Sequence, residues 1–186
     1  MFGFLVKKKV TDNQVANIFV NTTLEAVENG WPIVADFIQD SPEFVITPCI
    51  DREDYGKFLM IVVAANFSYI PEHFESGHDK EILRLCIQKF ATAFDLEPDQ
   101  FARKVKDYRD FLSRVNMPSK NMLYAMAKGV FHKYDLNEYQ DEYFGKMRTP
   151  NPIFLKNLDE VMRNYLWDWK AFQDKYKLKE TASNAH

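Results

Sequence analysis

The stretch from Phe58 to Ile70 constrains the fold of this chain more than any other part of its sequence. Apolar side chains recur along it at helical spacing, and the opposite side of the same helix is apolar too. The two sets are Tyr55, Phe58, Leu59, Val62, Tyr69 and Ile70, and Met60, Ile61, Ala64 and Phe67. Because a helix that is apolar all round must be enclosed by other elements, we predict a central helix here. Gly56 and the β-branched residues 61–63 have low helix propensity and weigh against this prediction.

The segment 43–50 is the one place where strand character competes with helix. Four β-favouring residues, 44–47, precede Pro48, which prevents a helix from continuing. A hairpin that pairs this segment with residues 58–63 is one alternative. We prefer a short extended segment at 43–50 followed by a helix from about Arg52, because Asp51 and Asp54 have the spacing of a helix cap.

The rest of the chain shows amphipathic helical periodicity between clear start and stop signals. A helix capped by Thr11 or Asp12 is predicted to end at Gly30, and Pro32 to begin a short second one. Further helices are predicted from about Asp79, from Pro98, after Pro118-Ser119, between Asn137 and Met147, and from Pro152 through Tyr176. The fold class predicted is all-α, an irregular bundle of about seven helices around the central apolar helix. With 186 residues, 46% of them apolar, we expect one domain over 1–178 and a frayed polar tail over 179–186.

A faint internal echo occurs at an offset of 40 residues. Residues 94–96 (Phe-Asp-Leu) are matched by residues 134–136 (Tyr-Asp-Leu), and the apolar positions before them also align. A helix-pair repeat of HEAT-like size is one interpretation. The alternative is that two amphipathic helices with similar exits match by chance.

Charge and cysteine usage bear on partners and location. The net charge is −3, and the most basic helix, Pro98–Asn116, mixes both signs, so no nucleic-acid partner is expected. Two isolated cysteines, Cys49 and Cys86, do not form a disulfide framework, and no secretory signal begins the chain. The apolar run at 58–70 is shorter than the ~20 residues of a membrane span. A soluble, cytoplasmic protein is predicted.

Signatures of catalysis and cofactor binding are missing from the sequence. The six glycines, at 3, 30, 56, 77, 129 and 145, are too far apart to form a phosphate-binding loop. There is no Gly-x-Ser-x-Gly nucleophile motif. We therefore expect no cofactor and lean towards a protein that is not an enzyme.

One cluster of candidate metal ligands contains two of the four histidines. Its members are Glu72, His73, Glu75, His78 and Asp79. Glu75 and His78 have the Glu-x-x-His spacing of di-iron helical bundles. That architecture needs the motif twice, and Gly77 makes a loop the better interpretation of this segment. A metal-binding protein or metal-dependent helical enzyme is thus the alternative hypothesis.

Large aromatic side chains are concentrated at the end of the chain. The candidate partner-binding residues are Tyr165, Trp167, Trp169, Phe172 and Tyr176. Trp and Tyr are enriched at interface hot spots, although a long C-terminal helix docked across the bundle would explain the same pattern. The function that the sequence favours is a non-catalytic protein–protein interaction or adaptor domain, with a homodimer as one form. Residues 1–9, apolar and then lysine-rich, could pack on the body or touch an acidic membrane surface weakly.

Overall fold

A computed structural model describes residues 6–179 of the chain. In this range it contains eight α-helices, two 3₁₀ turns and two short strands. The elements are β1 (Lys8–Val10), α1 (Asp12–Gln39), α2 (Gly56–His73), α3 (His78–Ala93), α4 (Pro98–Asn116), α5 (Met122–Lys133), a 3₁₀ turn (Leu136–Tyr139), α6 (Glu142–Met147), α7 (Pro152–Met162), a 3₁₀ turn (Arg163–Tyr165), α8 (Trp169–Lys175) and β2 (Tyr176–Leu178). The predicted all-α bundle is confirmed.

The helix α2 lies at the centre of the bundle, as its apolar circumference predicts. Ten of its residues are buried, and it packs against α1, α3, α4 and α5. Buried side chains from every long helix join in one continuous hydrophobic core. The prediction that the other helices enclose the Phe58–Ile70 stretch is therefore confirmed.

The first helix is longer than predicted, because α1 does not end at Gly30. It continues through Pro32 to Gln39 and buries ten residues, among them Trp31 and Ile38. Pro32 has no backbone N–H to donate, so the helix loses one hydrogen bond. Burial of the apolar side chains before and after Pro32 stabilises the helix by more than this hydrogen bond would. The prediction of a break followed by a second helix is wrong.

The segment 43–50 has no strand pairing in the structure, so the hairpin alternative is wrong. Its conformation is irregular, and the N–H groups of Val45 and Ile46 both donate to the carbonyl of Tyr139, at 2.9 and 3.3 Å. Phe44 anchors the segment by packing edge-on against Phe154, with ring centroids 4.7 Å apart. The next helix begins at Gly56 rather than near Arg52.

The predicted continuous last helix is also wrong, since it is interrupted between α7 and α8. The buried Asn66 amide on α2 donates to the Tyr165 carbonyl at 2.8 Å and accepts from the Trp167 N–H at 2.7 Å. These bonds hold the backbone in a non-helical path. The Asp168 carboxylate then caps α8 by accepting from the Ala171 N–H at 2.8 Å.

The two ends of the described chain meet in a parallel pair that the sequence analysis did not predict. Strand β1 pairs with β2 in the register Lys8 to Tyr176 and Val10 to Leu178. Lys179, expected to belong to a frayed tail, donates its N–H to the Val10 carbonyl at 2.9 Å. Residues 1–5 and 180–186, which include most of the predicted N-terminal apolar segment and of the tail, lie outside the described residues.

The two segments that match at an offset of 40 residues both follow a helix and have the same backbone conformation. Asp95 follows α3 and Asp135 follows α5, and each has a left-handed backbone, with φ of 52° and 53°. A true repeat remains a prediction. Across residues 6–179, no helix is both long enough and apolar enough to cross a membrane.

Candidate functional site

The five aromatic residues predicted to bind a partner do not form one exposed surface. Trp169 and Phe172 are only 1% and 7% exposed and belong to the core. Trp169 stacks on Phe19 of α1 at 5.4 Å and meets Phe74 edge-on at 5.1 Å. The break before α8 turns this short helix back onto the bundle, so its rings fill the interior.

The other three members of that set are partly exposed, but each is engaged within the chain. Trp167 contacts Phe19 edge-on at 5.4 Å. Tyr165 meets the ring of Phe58 edge-on at 4.8 Å, and burial raises the pKa of its hydroxyl. Tyr176 stacks on Phe172 at 4.7 Å. These contacts explain the aromatic concentration as packing of the C-terminal segment.

The predicted metal ligands do not converge either. His78, the first residue of α3, places its Nδ1 atom 2.8 Å from a carboxylate oxygen of Asp12 on α1. The ring of His73 lies beside Trp169, with centroids 6.5 Å apart. Glu72 and Glu75 are exposed, and residues 74–77 form a loop, as predicted. Within residues 6–179, no three His, Cys, Asp or Glu side chains come together to hold a metal ion.

An open groove of about 770 Å³ lies between this loop and the strand pair. Its walls are Lys7, Val10, His73, Phe74, Glu75, His78, Phe172, Gln173, Tyr176, Lys177, Leu178 and Lys179. The lining mixes three lysines with one carboxylate and apolar side chains. The lining includes residues from both ends of the described range, Lys7 and Lys179.

A more distinctive feature is an exposed apolar surface at the other end of the bundle. Eight large hydrophobic side chains are exposed in the described residues, and six of them lie on segments that are connected by the contacts of Phe154 with Phe37 and Phe44 and by hydrogen bonds to the Tyr139 carbonyl. We call these six side chains the apolar surface; it consists of Ile33, Val45, Ile46, Tyr143, Met147 and Ile153, which are 52–70% exposed. Single exposed hydrophobic residues are ordinary, whereas a group of them marks an interaction surface.

Packing beneath the apolar surface brings its α1 and α7 members together. Ile33 lies one turn before Phe37 on the same side of α1. The Phe37 ring stacks on Phe154 at 6.2 Å, and Phe154 directly follows Ile153 in α7. Two exposed isoleucines from distant parts of the sequence therefore flank one ring pair, of which Phe154 is buried and Phe37 partly buried.

The loop members of the apolar surface are joined to the same place by hydrogen bonds. Val45 and Ile46 donate to the Tyr139 carbonyl, as described above. The buried Gln140 side chain then ties the turn to residues 149–151, because it donates to the Thr149 carbonyl at 2.9 Å and accepts from the Asn151 N–H at 2.6 Å. This arrangement fixes the chain on both sides of α6.

The helix α6 itself contributes two side chains at i and i+4, Tyr143 and Met147, and buries none of its residues. Its N-terminus is capped by Asp141, whose carboxylate accepts from the Tyr143 and Phe144 N–H groups at 2.9 and 3.0 Å. Asn137 donates to the Gly145 carbonyl at 3.1 Å. A six-residue helix is thus held on the surface by polar anchors, which leaves its apolar side chains outward.

The segments that flank the loop and α6 members of the apolar surface are acidic. Residues 36–57 and 135–148 carry ten carboxylates and four basic side chains, whereas the whole chain has a net charge of −3. Six exposed carboxylates there have no ion pair within residues 6–179: Asp40, Asp51, Glu53, Asp54, Asp135 and Glu138. These two segments therefore give part of the rim of the apolar surface a negative charge, while Arg148 beside Met147 and Lys156 one turn after Ile153 are exposed basic residues there.

An open acidic groove of about 670 Å³ adjoins the apolar surface, between the end of α1 and residues 47–53. Its walls are Asp36, Gln39, Asp40, Thr47, Ile50, Asp51, Arg52 and Glu53. The one guanidinium in it, Arg52, already pairs with Asp36. The other carboxylates of the groove, Asp40, Asp51 and Glu53, have no ion pair within residues 6–179.

Two ionisable groups elsewhere are strongly perturbed. Burial raises the pKa of Asp159 on α7 to about 6, and the charge of Glu160 adds to this effect while Arg163 opposes it. One carboxylate oxygen of Asp159 is buried without a hydrogen-bond partner in the described residues. Burial also raises the pKa of the Cys86 thiol to about 12. Neither group has a nucleophile or base partner, so neither indicates catalysis.

The sequence analysis did not single out the apolar surface, because its members come from four separate segments. In the sequence, Val45 and Ile46 indicate only β-favouring residues, and Tyr143 and Met147 belong only to a predicted short helix. The only sequence signal was the excess of carboxylates on both sides of these residues. No family model, curated protein or solved structure matches this chain.

Proposed function

We propose that this protein is a non-catalytic protein-binding module that uses the apolar surface. The observation that carries the proposal is the gathering of six of the eight exposed large apolar side chains on connected segments. Covering such side chains is favourable, since complete burial of one Ile or Met side chain stabilises by about 1.5–3 kcal/mol. Aromatic residues and Met, both present here, are enriched in protein interfaces.

The backbone beneath the apolar surface is held in place by hydrogen bonds and ring packing, which favours binding of a partner. Gln140, Asn137 and Asp141 fix the backbone around α6, and Phe44 and Phe154 hold the 43–50 segment and α7 together. A surface that is ordered before binding loses less conformational entropy when a partner covers it. The exposed side chains are therefore presented as a formed binding surface.

A cytoplasmic location is part of the proposal. Cys49 is exposed and Cys86 is buried, and both are free thiols. Free thiols in a chain with no disulfide between its two cysteines are typical of a reducing compartment.

Selection from a displayed library of random peptides tests the proposal. Peptides selected on the native chain should bind the variant Val45→Ser/Tyr143→Ser/Ile153→Ser at least about tenfold more weakly, because the variant removes three of the six apolar contacts. The matched control is Val6→Ser/Met117→Ser, which removes the two exposed large apolar side chains outside the apolar surface. The control should bind like the native chain.

Sedimentation of the same three proteins over a range of concentration tests a second copy as the partner. A dimer that the triple variant loses and the control keeps would support binding through the apolar surface. The proposal is overturned if selected peptides bind all three proteins equally and no variant alters the sedimentation. Circular dichroism of each variant shows that the fold is retained.

A further inference from the structure

We infer that the partner of the apolar surface is basic: a polypeptide segment whose apolar side chains are flanked by lysine or arginine. This inference rests on the proposed function and adds the chemistry of the partner to it. It is carried by the charge around the apolar surface and by the acidic groove beside it.

Most carboxylates in the segments 36–57 and 135–148 have no ion pair within residues 6–179. Of the four basic side chains in residues 36–57 and 135–148, Arg52 pairs with Asp36 and Lys146 pairs with Glu142. Lys57 lies over the Tyr134 ring, 5.3 Å from its centroid. Arg148, the fourth, forms no ion pair within residues 6–179. The six exposed carboxylates without an ion pair are therefore available to cations of a partner.

The acidic groove places some of these charges where a partner's side chain would reach. It is lined by Thr47, which directly follows Ile46 of the apolar surface, and by Asp40 at the end of α1. An arginine or lysine side chain of the partner that enters the groove would contact Thr47, and Thr47 is the sequence neighbour of Ile46 in the apolar surface. A partner segment with apolar side chains flanked by lysine or arginine would therefore contact the apolar surface and the acidic groove at the same time.

The same charges disfavour acidic partners. Like charges brought together across an interface cost free energy, so nucleic acid and anionic membranes are repelled from this end of the molecule. Attraction of a basic segment would instead speed encounter and would weaken as salt rises. The salt dependence of binding thus distinguishes this inference from apolar burial alone.

The experiment uses the full chain with a fluorophore on Cys49. This thiol is exposed next to the apolar surface, and the buried Cys86 does not compete for the label. Three synthetic amphipathic peptides serve as probes; they share one leucine-rich side and carry lysine, glutamine or glutamate on the other. We expect the lysine peptide to bind at least about tenfold more tightly than the glutamine peptide, and the glutamate peptide to bind most weakly.

Two triple variants localise the effect. Asp40→Asn/Glu53→Gln/Glu138→Gln removes three carboxylates beside the apolar surface, whereas Glu25→Gln/Asp107→Asn/Asp174→Asn removes three exposed ones elsewhere. The first should weaken lysine-peptide binding about tenfold at low salt, and the second should change it by less than about twofold. Equal effects of the two variants would assign the preference to net charge and overturn the inference.

The outcomes also separate the inference from the proposed function. If the three peptides bind equally well and Val45→Ser/Tyr143→Ser/Ile153→Ser abolishes binding of all of them, the surface binds protein but the basic partner is wrong. If no peptide binds and the library selection also finds nothing at this surface, both fail. Binding of the lysine peptide that survives the serine variant would place its site elsewhere and overturn the inference.

Discussion

The side-chain oxygen of Asn66 accepts a hydrogen bond from the backbone N–H of Trp167 at 2.7 Å, across 101 positions of sequence. The amide nitrogen of the same residue donates to the Tyr165 carbonyl at 2.8 Å and to the Val62 carbonyl at 2.9 Å. Asn66 is 1% exposed at the centre of α2, so these bonds lie inside the core. One buried amide therefore determines where the last helical region breaks.

Replacing Asn66 with Ala should destabilise the fold by about 2–3 kcal/mol. The substitution leaves the Tyr165 carbonyl and the Trp167 N–H without partners, and each unsatisfied buried polar group costs about 1–3 kcal/mol. Urea denaturation followed by tryptophan fluorescence measures the loss. Ser68→Ala, which removes a bond only to the Ala64 carbonyl on the same helix, is the control and should cost less than about 1 kcal/mol. Equal costs would contradict the role of Asn66.

Replacing Gly30 with Ala should destabilise the protein by about 1 kcal/mol, although Ala is the better helix former. A methyl group at position 30 would overlap the hydroxyl of Tyr165, whose ring packs against this part of α1. The cost should fall in the Tyr165→Phe background, which lacks the hydroxyl. Thermal denaturation of the two single variants and the double variant gives the coupling between the sites. Additive effects would show that the two side chains do not meet.

Asp159 should make the protein less stable as pH rises from about 4 to about 6. Its pKa is about 6 in the folded chain against an ordinary 3.8, so the folded state binds more protons than the unfolded state in this window. Asp159→Asn should therefore gain about 1 kcal/mol at pH 7, after allowance for solvent screening, and flatten this part of the profile. The free energy of unfolding of both proteins, measured by urea denaturation at several pH values, checks this prediction. Glu25→Gln, which removes an exposed carboxylate on α1, is the control; a profile unchanged in Asp159→Asn would refute the assignment.

The native chain should show one reactive thiol at neutral pH. Cys49 is exposed, while Cys86 is fully buried in α3 and its pKa is raised to about 12, so almost none of it is thiolate. Titration with a chromogenic disulfide reagent should give about one equivalent in the native state and about two in denaturant. Cys49→Ser should abolish the native signal. Rapid reaction of both thiols would mean that α3 opens readily.

The starts of several helices were predictable because they depend on local chemistry. Pro98 occupies the first turn of α4, and Pro152 that of α7. The Thr11 side chain caps α1 and forms a capping box with Gln14. The central position of α2 was predictable for a similar reason, since only enclosure by other elements can cover a helix that is apolar on every side.

The interrupted last helix shows where local signals stop being sufficient. Periodicity through Tyr165, Trp169 and Phe172 is compatible with one long helix. The break follows from Asn66, about a hundred residues away, and no local pattern contains that information. The same is true of Gly30, which resembles a helix end in sequence but instead makes room for Tyr165.

The candidate site was less predictable than the fold. The aromatic residues 165–176 were candidates for partner binding, with docking of a C-terminal helix across the bundle as the alternative, and the reversal of the chain before α8 buries Trp169 and Phe172. The histidine cluster was expected to converge if it held a metal, yet His78 turns to Asp12 on α1. The apolar surface combines residues from α1, the 43–50 segment, α6 and α7, which only packing brings together.

By itself the sequence determined the all-α class, the central helix and the main helix starts, because side-chain periodicity and capping act over a few residues. The tertiary structure alone decided the length of α1, the break after α7, the pairing of β1 with β2 and the location of the exposed apolar side chains. These features depend on contacts such as Asn66 with Trp167 and Phe37 with Phe154, in which each residue's conformation is determined by one distant in sequence.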